Sequence, residues 1–249
     1  VITGAGSGIG RALAVRFHTE GAKQIVCADI NLANARETAA MIGGVAMMAD
    51  VAKEEDTARI IEDTESEIGP IDLFCCNAGV GLGESIHSPN AEWQSIWDIN
   101  VMSHVYAARH LVPRMVERGS GYFLNTSSAA GLLNQIGGAA YGVTKHAAIG
   151  FGEWLAIHHK HEGIGVSMLC PQAVRTAMTA VDNDAVAAAA NNGMIEPEEL
   201  ADTVVEGLRE ESFLILPHPI VREFMQNKTN NYDRWIGGMN KLMRKITGG

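Results

Sequence analysis

Val1-Ile2-Thr3-Gly4-Ala5-Gly6-Ser7-Gly8-Ile9-Gly10 opens the chain and runs directly into Arg11-Ala12-Leu13-Ala14-Val15-Arg16-Phe17. Read outward from its glycines, the stretch is the end of an apolar strand, a tight turn and the start of an amphipathic helix. Glycine permits turns and close ligand approach that a Cβ would block. The first turn of the helix offers unpaired N–H groups and a partial positive charge, both suited to a pyrophosphate. A second apolar run, Gln24 to Ala28, ends in Asp29, some twenty residues beyond the glycines. A carboxylate at that strand end can accept hydrogen bonds from both ribose hydroxyls of an adenosine. A glycine-rich turn alone is a weak sign; strand, turn, helix, strand and acid in that order point to a nucleotide site.

The rest of the chain extends this pattern. Leu32 to Ile42 reads as a helix, Val45 to Val51 as a strand and Lys53 to Ile68 as a charged amphipathic helix. After Gly69-Pro70 comes the apolar strand Ile71 to Asn77, then a long helical stretch from Glu92 to Arg118 in which Pro113 predicts a kink or break. Tyr122 to Ser127 reads as a strand, Ala139 to His161 as a helix, Ile164 to Cys170 as a strand, Pro197 to Glu210 as a helix and Phe213 to Leu216 as a last strand. Strands alternating with helices and no linker predict one α/β domain over 1–249, a Rossmann-type doubly wound parallel sheet covered by helices on both faces. Ligands of such sheets bind beyond the carboxyl ends of the strands. The polar clusters Thr3–Gly10, Asp29, Asp50, Asn77–Gly79, Ser127–Ser128 and Pro171–Thr176 all fall at such ends.

Composition narrows the class. With 249 residues, 47% apolar and 19% charged, the chain can bury a sizeable core. The net charge of −10 argues against nucleic acid, which calls for clustered basic residues. Apolar runs stay short of the roughly 18 residues that span a bilayer. Cys27, Cys75, Cys76 and Cys170 fall in predicted strands without CxxC spacing, so we expect buried free thiols in a reducing, cytoplasmic setting. The chain lacks an initiator methionine and its first strand starts midway, so a few further residues are expected before Val1.

Tyr141 and Lys145 are four residues apart, which on a helix places phenol and ammonium on one face. A neighbouring cation should favour the phenolate and bring the tyrosine below its usual pKa of about 10, making it an acid/base candidate. On its own the spacing is common on helix surfaces. In context it joins a set of motifs that resembles the short-chain dehydrogenase/reductase family, in its compact single-domain branch, along nearly the whole chain. TGAGSGIG matches TGxxxGxG; Asp50-Val51 matches the acid beside the adenine ring; Cys76-Asn77-Ala78-Gly79 resembles NNAG with its first Asn replaced. Asn100 stands at the position of the family's structural and proton-relay asparagine. Ser128 lies thirteen residues before Tyr141, as the family's serine does, which selects it over Ser127. Pro171-Gln172-Ala173-Val174-Arg175-Thr176 resembles PGxVxT, with Gln172 in place of glycine. That glutamine could narrow the pocket, contact substrate or point outward.

The resemblance implies a catalytic set of Asn100, Ser128, Tyr141 and Lys145. Tyr141 would exchange the proton at the substrate oxygen, Ser128 would hold that oxygen, Lys145 would hold the nicotinamide ribose, and Asn100 would anchor a water leading to solvent. It implies a dinucleotide held by Gly4, Ser7, Ile9, Asp29, Asp50, Val51, Asn77, Ala78, Gly79, Tyr141, Lys145, Pro171, Val174 and Thr176. Asp29, followed by Ile30 and without a basic residue at Ser7, argues for NAD over NADP. The loop 176–196, with Met178, Val181 and Ala185 to Ala190, and the segment Leu132, Leu133 and Ile136 would then face a hydrophobic secondary alcohol or ketone. The alanines could equally form a plain helical lid; Asn191-Asn192-Gly193 suggests a loop that moves until ligands bind. In the tail, 219–249, Trp235, Ile236, Met239, Leu242 and Met243 recur at helical spacing, to dock over the cleft or on another subunit rather than on a membrane. A homodimer or homotetramer through the helices of Arg109 and Tyr141 is implied as well. His158, His159 and His161 read as solvated residues near a helix end, not as a metal site. A methyltransferase would not need the tyrosine–lysine pair, an enoyl reductase would space it more widely, and an NADPH-dependent 3-ketoacyl reductase would carry a basic residue near Asp29 or Ser7. A non-catalytic nucleotide sensor would not need all four catalytic residues.

Overall fold

The structure, a computed structural model, describes residues 1–181 and 183–248, with the side chain of Asn192 also left aside; Asp182 of the expected substrate loop and Gly249 of the tail lie outside the described residues. Seven parallel strands form one sheet: β1 Ile2–Thr3, β2 Val26–Asp29, β3 Val45–Met48, β4 Leu73–Cys76, β5 Gly121–Thr126, β6 Ile164–Leu169 and β7 Leu214–Ile215. Their order, β3-β2-β1-β4-β5-β6-β7, reverses direction between β1 and β4. The carboxyl ends of these two strands flank the crevice where such sheets receive a ligand.

Helices cover both faces. On one, α1 (Gly8–Thr19), α2 (Leu32–Ile42) and α9 (Pro197–Arg209) bury Leu13, Phe17, Ile42, Leu200 and Val204 against the sheet. On the other, α3 (Glu54–Glu67), α5 (Ser103–Arg118) and α7 (Ala139–His159) bury Ile60, Ile61, Leu111, Met115 and Leu155 around Phe74 and Phe123. Local signals set the ends. Asn31 caps α2 by accepting from the N–H groups of Ala33 and Asn34, and Gly43 closes it in the left-handed region at φ 62°. Pro197 opens α9 behind a Glu196/Glu199 capping box.

The stretch from Glu92 to Arg118 is helical throughout, as expected, with α4 (Asn90–Trp97) passing through a π turn at Asp98–Met102 into α5. Three expectations need correction. Pro113 does not break the helix; α5 runs through it to Gly119. The third strand ends at Met48, so Asp50 and Val51 sit in the turn after it, and Cys170 lies one residue past β6. Leu132, Leu133 and Ile136 do not line the cleft. Leu132 and Leu133 pack instead with Val221, Phe224 and Trp235 of the tail, and Ile136 is buried off the cleft wall.

The tail forms α10 (Ile220–Asn230) and α11 (Tyr232–Thr247). α10 packs on the short α6 (Ala130–Leu133), and α11 reaches α8 (Asp184–Ala189), the helix of the substrate loop. Lys228 ties α10 down by donating to the Leu132 carbonyl at 2.6 Å. The four cysteines are free and buried. Among the described residues no helix is long and apolar enough to cross a membrane.

Candidate active site

A cavity of about 480 Å³ opens along the carboxyl ends of the strands. The glycine turn builds one end. Gly4 has φ 64° and Gly10 packs so tightly that a Cβ there would lie 2.1 Å from the Gly4 carbonyl oxygen. Only glycine at both places lets the turn fold under the start of α1 and leaves its N–H groups open to a ligand. The Gly6 N–H donates to Asp29 Oδ2 at 2.8 Å and the Asn31 N–H to Oδ1 at 2.9 Å. The Asp29 carboxylate is thereby aimed at the cleft beside the turn. Asp50 sits further along, fixed by its own N–H donating to Asp56 Oδ2 at 2.9 Å and by the Ala52 N–H donating to its Oδ1 at 3.1 Å.

The middle of the cleft is the loop after β4. Thr3 Oγ1 donates to the Cys75 carbonyl at 3.2 Å and accepts the N–H groups of Asn77 and Ala78 at 3.0 and 3.1 Å. Asn77 Nδ2 returns a bond to the Thr3 carbonyl at 3.1 Å. One threonine hydroxyl thus stitches β1 to the Asn77-Ala78-Gly79 turn.

At the far end, α7 presents Tyr141 and Lys145. Lys145 is 3% exposed and donates to the Thr126 carbonyl at 3.1 Å, with its ammonium 5.7 Å from the Tyr141 ring centre. Burial pulls its pKa from 10.5 to about 8. Burial also pushes the Tyr141 phenol up from 10, opposed by the neighbouring Ser128 hydroxyl. The expected lowering of Tyr141 is therefore corrected for the ligand-free protein: exclusion of water raises the phenol above its usual value and keeps it a neutral donor.

The two serines part company. Ser127 Oγ donates to the Lys145 carbonyl at 2.9 Å and serves α7. Ser128 Oγ accepts the Ala130 N–H at 3.1 Å and makes a long bond, 3.4 Å, to the Pro171 carbonyl. Asn100 is wholly buried on the π turn and is not part of the cleft wall. Its Oδ1 accepts the Val80 N–H at 2.9 Å, while Nδ2 donates to the Val80 carbonyl at 3.0 Å and to Thr144 Oγ1 at 3.3 Å. The amide clamps the loop after β4 against α7.

Every other residue of the expected catalytic and cofactor-binding sets lines the cleft: Gly4, Ser7, Ile9, Asp29, Asp50, Val51, Asn77, Ala78, Gly79, Ser128, Tyr141, Lys145, Pro171, Val174 and Thr176. So do Met178, Val181, Ala185, Val186 and Ala189, so the alanine-rich segment is both a helix and a wall. Gln135 Nε2 holds that helix by donating to the Ala185 carbonyl at 3.3 Å. Sequence reasoning missed Thr126 and Val80, which act through their backbone groups; nothing in their residue types announces it. His158 stacks on Trp154 at 4.2 Å and His159 pairs with Glu162 at 2.5 Å, so the histidines face different partners near the end of α7.

The architecture suits a dinucleotide: a cradle that a Cβ would fill, an acid at the β2 end, and a buried ammonium at the other. Comparison with known proteins agrees. The model of the short chain dehydrogenase family matches residues 1–187. The 1-deoxy-11-beta-hydroxypentalenate dehydrogenase of Streptomyces exfoliatus is 32% identical over 245 residues, covering 95% of this chain and 88% of that one. Epidermal retinol dehydrogenase 2 of Homo sapiens is 29% identical over 228 residues, covering 87% and 73%. A short chain dehydrogenase/reductase from Burkholderia phymatum, solved in complex with NAD, superposes with a TM-score of 0.84 at 27% identity, over 94% of this chain and 93% of that one.

Proposed function

Because the chain belongs to the short-chain dehydrogenase family, we propose that it interconverts a hydrophobic secondary alcohol and its ketone with NAD(H). The observation that carries this reading is the convergence of the Tyr141 phenol, the Ser128 hydroxyl and the Lys145 ammonium at one end of a cleft whose other end is the glycine turn and Asp29.

The residues divide the work along the cleft. Gly4, Ser7 and Ile9 face the pyrophosphate, Asp29 the adenosine ribose, Asp50 and Val51 the adenine, and Asn77 to Gly79 the middle of the cofactor. Pro171, Val174 and Thr176, with Lys145, hold the nicotinamide end. When bound, the nicotinamide supplies or takes up the hydride. Ser128 fixes the substrate oxygen with a preorganised hydroxyl. Tyr141, kept neutral by burial, donates its proton to a carbonyl oxygen in the reductive direction. In the oxidative direction a charged Lys145 favours the phenolate that removes the alcohol proton. Asn100 holds the Val80 loop against Lys145. Asp29 disfavours a phosphate on the adenosine ribose by like charge, which selects NAD over NADP. A second copy of the chain would cover the exposed Val143, Trp154 and Ile157 of α7.

The test is a panel of secondary alcohols with NAD+, followed at the nicotinamide absorbance band. Tyr141→Phe should lower kcat by about 100-fold or more while NADH affinity stays near wild type. Substantial turnover in that variant removes Tyr141 from the proton step. Comparable kcat/KM with NADP refutes the cofactor assignment.

A further inference from the structure

Gln172 and His218 have no part in the mechanism above, yet the structure joins them beside the reacting end of the cleft. Pro171 is clamped by its carbonyl, which accepts the Ala129 N–H at 2.7 Å and the Ser128 hydroxyl at 3.4 Å. One residue on, the Gln172 N–H donates to His218 Nδ1 at 3.2 Å. His218, between β7 and α10, is 6% exposed, and burial holds it toward the neutral form. With Nδ1 accepting, the ring proton is on Nε2.

Both side chains are left incomplete. Gln172 lines the cleft, and its Oε1 is buried without a hydrogen-bond partner among the described residues; His218 Nε2 is buried in the same state. The same cleft is lined by the apolar Met178, Val181 and Val186 of the loop beyond Thr176, and by the polar Ser128 and Tyr141. A buried polar atom without a partner is costly and uncommon, so this amide acceptor at the cleft calls for a donor. The Gln172 side chain is half-buried and has three rotatable torsions, so its oxygen can turn to a ligand, while the bond to His218 fixes its backbone next to Ser128. An apolar ketone offers that oxygen nothing. A hydroxyl does.

We propose that Gln172 is a specificity-determining residue that accepts a hydrogen bond from a second hydroxyl on the substrate, close to the carbon that reacts. The substrate class is then a hydroxyketone, or the corresponding diol, on an apolar frame. This rests on the alcohol–ketone reading above and narrows it.

Cyclohexanone and 2-hydroxycyclohexanone differ by that hydroxyl alone. Their dissociation constants from the wild-type NADH complex, read by NADH fluorescence, are compared with those of Gln172→Met, which removes the amide at similar volume, and Gln172→Glu, which keeps an acceptor. Wild type should bind the hydroxyketone roughly ten- to a hundredfold more tightly than the ketone. Gln172→Met should bring the two within about twofold, and Gln172→Glu should retain the preference. Equal or undetectable binding of the two by wild type, or a preference that survives in Gln172→Met, overturns the proposal. Initial rates run alongside: binding with the expected preference but without turnover would count against the alcohol–ketone chemistry and leave the role of Gln172 supported.

Discussion

Replacing Lys145 by methionine should make the ligand-free protein more stable and catalytically inert. The ammonium is 3% exposed, and burial brings its pKa from 10.5 to about 8. That displacement corresponds to roughly 3 kcal/mol by which the folded protein disfavours the charged form. Methionine keeps an unbranched apolar chain and removes the charge. It also leaves the Thr126 carbonyl short of the donor now at 3.1 Å, at a cost of about 1–2 kcal/mol. The net expectation is a gain of about 1–2 kcal/mol at pH 7, read by urea unfolding without cofactor.

The pH dependence gives the sharper test. Between about pH 8 and 10.5 the unfolded chain keeps a lysine proton that the folded chain has released, so wild-type stability rises relative to the variant. The gap between the two proteins should be widest at and below pH 8 and shrink as the pH rises. Burial pushes the Cys75 thiol up to about 12 in both proteins, so it cancels in the difference; the Cys170 thiol, also at about 12, loses the charge of Lys145 in the variant and moves further up, away from the pH range compared. A methionine variant less stable at pH 7, or a gap that ignores pH from 7 to 9.5, would refute the reasoning. A costly charge retained at the end of a cleft is the pattern of a group kept for function rather than for folding.

Ser127→Ala should lose about 1 kcal/mol of stability with kcat within a few-fold of wild type, because its hydroxyl serves the Lys145 carbonyl. Ser128→Ala should lower kcat about 100-fold and also lose about 1 kcal/mol, because its hydroxyl accepts the buried Ala130 N–H; a kcat near wild type in this variant with a large kcat defect in Ser127→Ala would return the choice to Ser127. His104 is 1% exposed, its Nδ1 is 3.1 Å from Asn125 Oδ1, and burial, helped by the charge of Lys145, holds its pKa at about 4. From pH 6.5 down to about 4 the unfolded chain takes up a proton that the folded chain refuses, so this histidine removes stability, on the order of 3 kcal/mol in all. His104→Gln should flatten that part of the stability profile in urea titrations at pH 4.5 to 6.5, and an unchanged slope would exclude His104 as its source.

The glycine turn was legible because its constraint is steric and local: a Cβ at Gly10 meets a backbone oxygen whatever the rest of the chain does. Tyr141 and Lys145 were legible because helical geometry fixes their relation before any tertiary contact forms. The π turn was not. Glu92 to Arg118 keeps its apolar periodicity on both sides, and a π turn closes its hydrogen bonds one residue further along without changing composition. Leu132 and Leu133 were misassigned for a different reason. Apolar side chains beside a cleft have two apolar neighbours to choose from, and the tail wins them through Val221 and Phe224. The raised pKa of Tyr141 was hidden as well, since it follows from how much water the assembled walls exclude.

The hidden π turn is what couples these parts. It carries Asn100, whose amide holds both backbone groups of Val80 and also reaches Thr144 on α7. Gly79 lies in the fold of this clamp. A Cβ there would come within 3.2 Å of Asn100 Oδ1 and 3.3 Å of Lys145 Nζ. The loop after β4, the π turn and α7 are therefore locked around one point, and the lysine that α7 presents cannot shift without straining the loop that lines the middle of the cleft. A helical irregularity that composition does not mark thus sets the distance between the two halves of the site.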